Sequence, residues 1–363
     1  MAQIYWTYNE LLEEVHRRAQ SVEVLGHTVD GSPIVAARGG GSKRPAIFIT
    51  AGSHSTEQAG VSAAVSCIEE LETEHQVYVI PTRDPVGMQG FAHVLSLGLG
   101  ERPEADDFDQ VESLLRDQGE VLFEEDDLLL ALIGEYGYAS ARPAPERACA
   151  QYFFYQRLQR LAKEHPEALE PLRGRRVWMT PGQTGVAGTG DLGRAYTLII
   201  SLDGEILHIN RFHDTPWSPI EPRATRDLMA RIDPGISFDL HESQLMEDRY
   251  FLSARRQPDA TNEEWEQKAA SAVIQAISDS GATLARDEDV SALGNWFDTS
   301  EPGVCWLDAG RRGEGYNLAD FASQTYGLAF GTEMGMYGTF DGRVNLAMIT
   351  VRTAVEVFSQ RHA

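Results

Sequence analysis

His54 and Glu57 stand three residues apart in Gly52-Ser53-His54-Ser55-Thr56-Glu57, directly after the apolar run 47–51. Imidazole nitrogen and carboxylate oxygen are both good zinc ligands, and a turn from strand to helix can aim the two at one point. Further along come Asn210-Arg211, Asp239-Leu240-His241 and Thr332-Glu333, each closing an apolar run of its own. A catalytic zinc keeps three protein ligands and one position open to water. His54, Glu57 and His241 supply such a set. A carboxylate beside that water can take its proton, and Glu333, in Phe330-Gly331-Thr332-Glu333-Met334-Gly335, stands where one is needed. Arg211 offers a planar fork that matches a carboxylate, and Asn210 adds an amide. A substrate with an anionic end follows. Taken singly, each residue also reads as structural, since a histidine or glutamate ending a strand is often an ordinary turn or surface group. Four such clusters together point to a zinc hydrolase holding one ion.

These side chains need strands that end at a common edge. Residues 46–52 read as the strand that delivers His54, residues 58–72 as the helix after it, and residues 76–81 as the next strand. Strand, helix and strand at this spacing form a parallel unit with a right-handed crossover, and ligands bind outside the carboxyl ends of such strands. Ahead of this unit, Leu11, Leu12, Val15, Ala19 and Val22 make one helical stripe, and residues 24–37 read as a hairpin around Asp30-Gly31. Residues 205–209 are the strand that delivers Asn210-Arg211, and residues 235–240 deliver His241. Helices are expected over 222–232, after the capping box Thr261-Asn262-Glu263-Glu264, and over 347–358; a strand over 327–332 delivers Glu333. From about 92 to 190 the texture changes to an acidic run, a helical stretch with Tyr152, Phe153, Tyr155, Leu158 and Leu161, and a glycine-rich segment. The expectation is a single domain over residues 1–363, with residues 92–190 a helical insertion or cap.

Composition narrows the class. The formal net charge of -24 over 363 residues argues against a nucleic-acid surface. Residues 101–135 hold thirteen Asp and Glu against two Arg, a local balance of -11, so nearly half of the excess sits in one segment, read as a solvated face, and the acidity says little about substrate. Three cysteines, Cys67, Cys149 and Cys305, do not make a disulfide framework. The first residues carry no signal-peptide pattern, and no apolar run nears the ~20 residues of a membrane helix. A cytoplasmic protein with no membrane partner is expected.

Assembled, these residues resemble the zinc carboxypeptidase family of pancreatic carboxypeptidases and their bacterial relatives. Gly26-His27-Thr28-Val29-Asp30-Gly31-Ser32-Pro33-Ile34 resembles the family's hairpin leading into the sheet. His54-Ser55-Thr56-Glu57 matches its first zinc motif, Asn210-Arg211-Phe212 its Asn-Arg pair, Asp239-Leu240-His241 its third ligand, and Phe330–Gly335 the segment around its general base. The resemblance covers residues 24–91 and 194–340. It implies an α/β/α sandwich with a mixed, mostly parallel eight-stranded sheet, and release of a C-terminal residue by zinc-activated water. It also implies that Asn210 and Arg211 hold the terminal carboxylate, that a second arginine polarises the scissile carbonyl, and that a tyrosine closes over substrate. Arg194 fits the arginine, with Arg173, Arg175 and Arg176 as competitors, and Tyr316 fits the tyrosine ahead of Tyr326. Ala319, beside Asp320, implies no charge selection at the side chain. The chain departs from the pattern at Arg83-Asp84-Pro85-Val86-Gly87, where many relatives carry Asn-Pro-Asp-Gly. An N-acyl amino acid deacylase resembling aspartoacylase and succinylglutamate desuccinylase shares the plan and is the nearest alternative. A zinc-binding relative without turnover is the third.

Overall fold

The protein's structure, a computed structural model, describes residues 2–125, 128–141, 158–180, 192–215, 217–243, 248–290, 298–308 and 315–363. Helix α1 (Tyr8–Arg18) opens on a capping box between Thr7 and Glu10 and buries Tyr8, Leu11 and Val15. The hairpin β1 (Ser21–His27) and β2 (Pro33–Gly40) follows, then β3 (Lys43–Ala51), α2 (Gln58–Glu70) and β4 (His75–Ile80). After the insertion come α5 (Ile220–Ile232), β11 (Pro234–Ser243), β12 (Tyr250–Arg256) and α6 (Ala260–Asp279). The chain ends with β13 (Asp298–Glu301), β14 (Val304–Asp308), α7 (Leu318–Thr325), β15 (Leu328–Gly335) and α8 (Phe340–Arg361).

The main sheet runs in the order β1-β2-β4-β3-β11-β15-β12-β14-β13. Eight of these strands form the expected mixed sheet, and short β13 adds a ninth at one edge. The run β4, β3, β11 and β15 is parallel, as is β12 with β14, while the other pairs are antiparallel. Side chains alternate across each strand. Ile47, Ile49, Ala51, Phe238 and Leu240 therefore meet α2, α6 and α8 on one face. Ala46, Phe48 and Ala329 meet α5 and α7 on the other. This is the three-layer α/β/α architecture.

The insertion differs from the helical cap that its sequence suggests. It contributes α3 (Phe91–Leu99) and α4 (Phe108–Gln118), but its body is a second sheet. Strands β5 (Glu120–Glu125), β6 (Leu128–Ile133), β7 (Tyr136–Ala141), β8 (Arg176–Met179), β9 (Tyr196–Ile200) and β10 (Ile206–His208) lie in the order β10-β9-β8-β7-β6-β5. Only β7 and β8 pair in parallel. The β6 sequence Leu-Leu-Leu-Ala-Leu-Ile lacks the alternation that marks a strand with one wet face, because it is buried on both faces. The run 205–209 also belongs to this second sheet, not to the main one. Tyr152, Phe153 and Tyr155 lie outside the described residues; Leu158 and Leu161 pack in this sheet's core. One cap is corrected as well. Asp259, not Thr261, caps α6, its side chain accepting from the Asn262 amide.

Candidate active site

The carboxyl ends of β3, β11 and β15 share one edge, with Leu240 paired to Ala51 and His241 paired to Glu333. Beyond β3 the chain turns at Gly52, whose φ of +58° is in the left-handed region, and a β-carbon there would meet Thr82 Oγ1 at 2.4 Å. Only glycine fits that close, left-handed turn. The turn is followed by His54 and sets Glu57 at the N-cap of α2. On the far side of β11, Glu242 receives the Ala59 amide at 2.7 Å and pairs with Arg343, which fixes the start of α2 from below. Gly60 lets α2 lie against β11, since a β-carbon there would meet the Leu240 carbonyl oxygen at 2.6 Å.

His54, Glu57 and His241 thus converge, each offering a ligand atom, all within 4.8 Å of one another. His54 Nδ1 lies 2.5 Å from Glu57 Oε1, and His241 Nδ1 lies 2.8 Å from Glu57 Oε2. Both imidazoles thereby turn Nδ1 inward. Their outer nitrogens are held in turn: His54 Nε2 lies 2.8 Å from His208 Nδ1, and His241 Nε2 lies 2.9 Å from Asp239 Oδ2 and 3.0 Å from Asn210 Nδ2. Partners of this kind fix the tautomer and ring orientation of a metal-binding histidine. Behind them Arg83, fully buried, grips Asp239 with two bonds of 2.7 and 2.8 Å and donates to Asn210 Oδ1 at 3.0 Å.

The electrostatics suit a cation. Burial works to raise the Glu57 carboxyl, but the two imidazoles outweigh it and hold it at about 2. Burial works against charge on His241, yet Asp239 and Glu57 raise its pKa well above the ordinary histidine value. Burial keeps His54 and His208 below that value. Two carboxylates flanking one imidazole demand positive charge between them. Two inward Nδ1 atoms and a carboxylate form a donor set that a divalent ion fits. Glu333, at the rim, is pushed up to about 8 by burial and by Glu57 and Asp239, against the pull of His241.

Other expected residues divide. A cleft of about 80 Å³ is lined, among the described residues, by His54, Asn210, Arg211, Asp239, His241, Ser253, Arg255, Asn317, Ala319, Gly331 and Glu333. Arg211 is half-buried in that wall, whereas Asn210 is buried and engaged with Asp239, Arg83, His241 and the Leu318 amide. Asn210 therefore orients the histidine. Arg194 is a correction. It is 1% exposed, outside the cleft, and its guanidinium donates to the carbonyls of Tyr5, Trp6 and Met88, which ties β9 to the N-terminal segment. Tyr316 is not among the cleft residues either; its amide donates to Asp214 Oδ1. Arg176, a competitor, is paired to Glu221 at 2.8 Å. His208, Arg83, Arg255, Ser253 and Asn317 escaped the sequence reading. Arg83 alone left a trace, as the departure from Asn-Pro-Asp-Gly.

No protein-family model matches the sequence, and no curated protein matches it. Solved structures do. A metallo-carboxypeptidase from Pseudomonas aeruginosa in complex with (2-guanidinoethylmercapto)succinic acid is 14% identical, with a TM-score of 0.50 over 96% of this chain and 68% of that one. A metallo-carboxypeptidase from Burkholderia cenocepacia is 13% identical, at 0.47 over 97% and 68%. Bovine thrombin-activatable fibrinolysis inhibitor is 11% identical, at 0.45 over 99% and 98%. The Pseudomonas likeness shows a shared fold. In fold, the chain is metallo-carboxypeptidase-like.

Proposed function

We propose that this protein is a zinc-dependent metallo-carboxypeptidase, removing the C-terminal residue of a peptide. The observation that carries the reading is the convergence of His54, Glu57 and His241 on one point, with Glu333 on the neighbouring strand and Arg211 in the same cleft. The two histidines and Glu57 would hold the ion. When bound, such an ion lowers the pKa of water and polarises a carbonyl. Glu333 takes the proton of the attacking water and passes it to the leaving amine, and it can be a base only where positive charge beside it offsets Glu57 and Asp239. Arg211 pairs with the terminal carboxylate, and Asn210, Asp239 and His208 hold the two imidazoles in place.

A second reading is hydrolysis of an N-acyl amino acid, with the same residues in the same roles. One experiment separates them. Zinc-loaded protein is offered C-terminally varied dipeptides and tripeptides, and in parallel N-acyl amino acids, with and without chelator. Release of C-terminal residues that chelator abolishes is the expected result. Activity confined to acyl amino acids would overturn the peptidase in favour of the deacylase, and firm zinc binding with no turnover on either would make the chain a non-catalytic relative.

A further inference from the structure

The cleft contains a second arginine that none of the roles above uses. Arg255, on β12, is 1% exposed at the cleft floor, near Ser253, Asn317, Ala319 and Gly331. Its Nε donates to Asp320 Oδ1 at 2.6 Å, its Nη1 to Ser253 Oγ at 2.6 Å and its Nη2 to Asn317 Oδ1 at 3.2 Å. Asn317 Oδ1 is further occupied as the cap of α7, accepting from the Asp320 amide at 2.8 Å. Asp320 is fully buried and is not among the residues lining the cleft.

These bonds sort the floor by polarity. The Ser253 oxygen and the Asn317 carbonyl oxygen are both taken by Arg255. A hydroxyl that accepts from a guanidinium directs its own hydrogen elsewhere, and a side-chain amide whose oxygen is taken still has two N–H groups to give. One N–H of Arg255 Nη2 also has no acceptor among the described residues. The floor therefore presents donors: the Ser253 hydroxyl, the Asn317 amide and Arg255. Ala319 and Gly331 contribute small, uncharged walls.

We propose that this floor is a subsite for an acidic side chain, with Arg255, Ser253 and Asn317 receiving the carboxylate of a C-terminal Asp or Glu while Arg211 takes the terminal carboxylate. A carboxylate brings only acceptors to a surface of donors. A lysine or arginine would bring donors against donors, and a leucine would bring no acceptor for these donors. Ala319 lacks charge, as the sequence implies, but the charge comes from the strand opposite it. The proposal deepens the hydrolase reading and rests on it for turnover; binding at the floor can be measured without it.

The test uses the zinc-loaded protein and substrates that differ only in the leaving residue: Asp, Glu, Asn, Leu or Lys. The expected kcat/KM for Asp or Glu exceeds that for Leu by about tenfold or more, and that for Lys by a wider margin, as expected where a hydrogen-bonding site meets an analogue lacking its partner. Calorimetry with free Asp, Glu, Leu and Lys reads the same preference without hydrolysis. Asn317→Ser keeps a capping oxygen on α7 but removes the amide donors, and it should lower the Asp-to-Leu ratio several-fold. Arg255→Lys keeps the charge without the fork and should lower it further. A merely structural role would leave that ratio unmoved. Leu or Lys substrates cleaved at least as well as acidic ones would overturn the subsite and leave the hydrolase standing. Acidic ligands bound preferentially with no hydrolysis anywhere would support the subsite and sink the hydrolase.

Discussion

At the residue scale, the site separates groups that would touch the reaction from groups that hold them. Glu333 belongs to the first kind. Glu333→Gln should keep metal affinity and lower hydrolysis by about 100-fold or more, the usual contribution of a positioned acid–base group. His241→Ala should lose both metal and activity, and metal analysis beside a rate assay distinguishes the two. A Gln variant with undiminished turnover would remove Glu333 from the mechanism. His208 is of the second kind, because it meets His54 at that ring's outer nitrogen. His208→Ala should weaken metal binding about 10- to 100-fold, the usual effect of losing such a partner, as read by competition with a chelator. Arg211→Ala should cut kcat/KM roughly 10- to 100-fold for substrates with a free carboxylate, in keeping with a lost charge-assisted hydrogen bond. Equal losses on amidated analogues would contradict that pairing.

At the scale of elements, each residue of the candidate site is delivered by the way its strand ends. His54 depends on the glycine turn between β3 and α2, His241 on its register against Glu333, and Asn210-Arg211 on the single helical turn Ile209–Arg211 that follows β10. The sharpest constraint is Gly52. Gly52→Ala places a β-carbon in a left-handed conformation against Thr82, and such strain costs roughly 1–3 kcal/mol. Chemical denaturation should show that loss, and metal affinity should fall with it because His54 moves with the turn. Unchanged stability with unchanged affinity would mean that the turn relaxes freely.

At the scale of the whole molecule, the two sheets meet at the site. His208 reaches from β10 to His54, Ser55 Oγ donates to the Ala195 carbonyl, and Asp84 accepts from Thr197 of β9 at 2.7 Å and from the Gly87 amide at 2.9 Å. Asp84 pays for this joint in desolvation: burial pushes its carboxyl up to about 7. An acid whose folded pKa is raised binds a proton that the unfolded chain has already released. Its contribution to stability is full below the unfolded value of about 4 and is lost as pH rises to about 7. Asp84→Asn should flatten that part of the stability profile between pH 4 and 7, measured by denaturation across pH. A gentler slope should persist, since burial also pushes Glu266 up to about 8. An unchanged profile would mean that Asp84 does not titrate across this range.

The residues of the candidate metal site and the main sheet were legible in the sequence because they rest on local chemistry. Apolar runs of strand length, glycine turns and polar residues at strand ends are dictated within a few residues, and His54, Glu57, His241 and Glu333 could be picked out from them. Long-range pairing decided the rest. Nothing local in the apolar β6 run distinguishes a strand buried on both faces from a helix, so the second sheet was hidden. Nothing near Arg194 announces that its partners are the carbonyls of residues 5, 6 and 88. Nothing near Arg255 announces that Asp320, Ser253 and Asn317 will take its bonds and leave a floor of donors. Short-range pattern sets which residues end a strand; only the folded chain sets what those residues face.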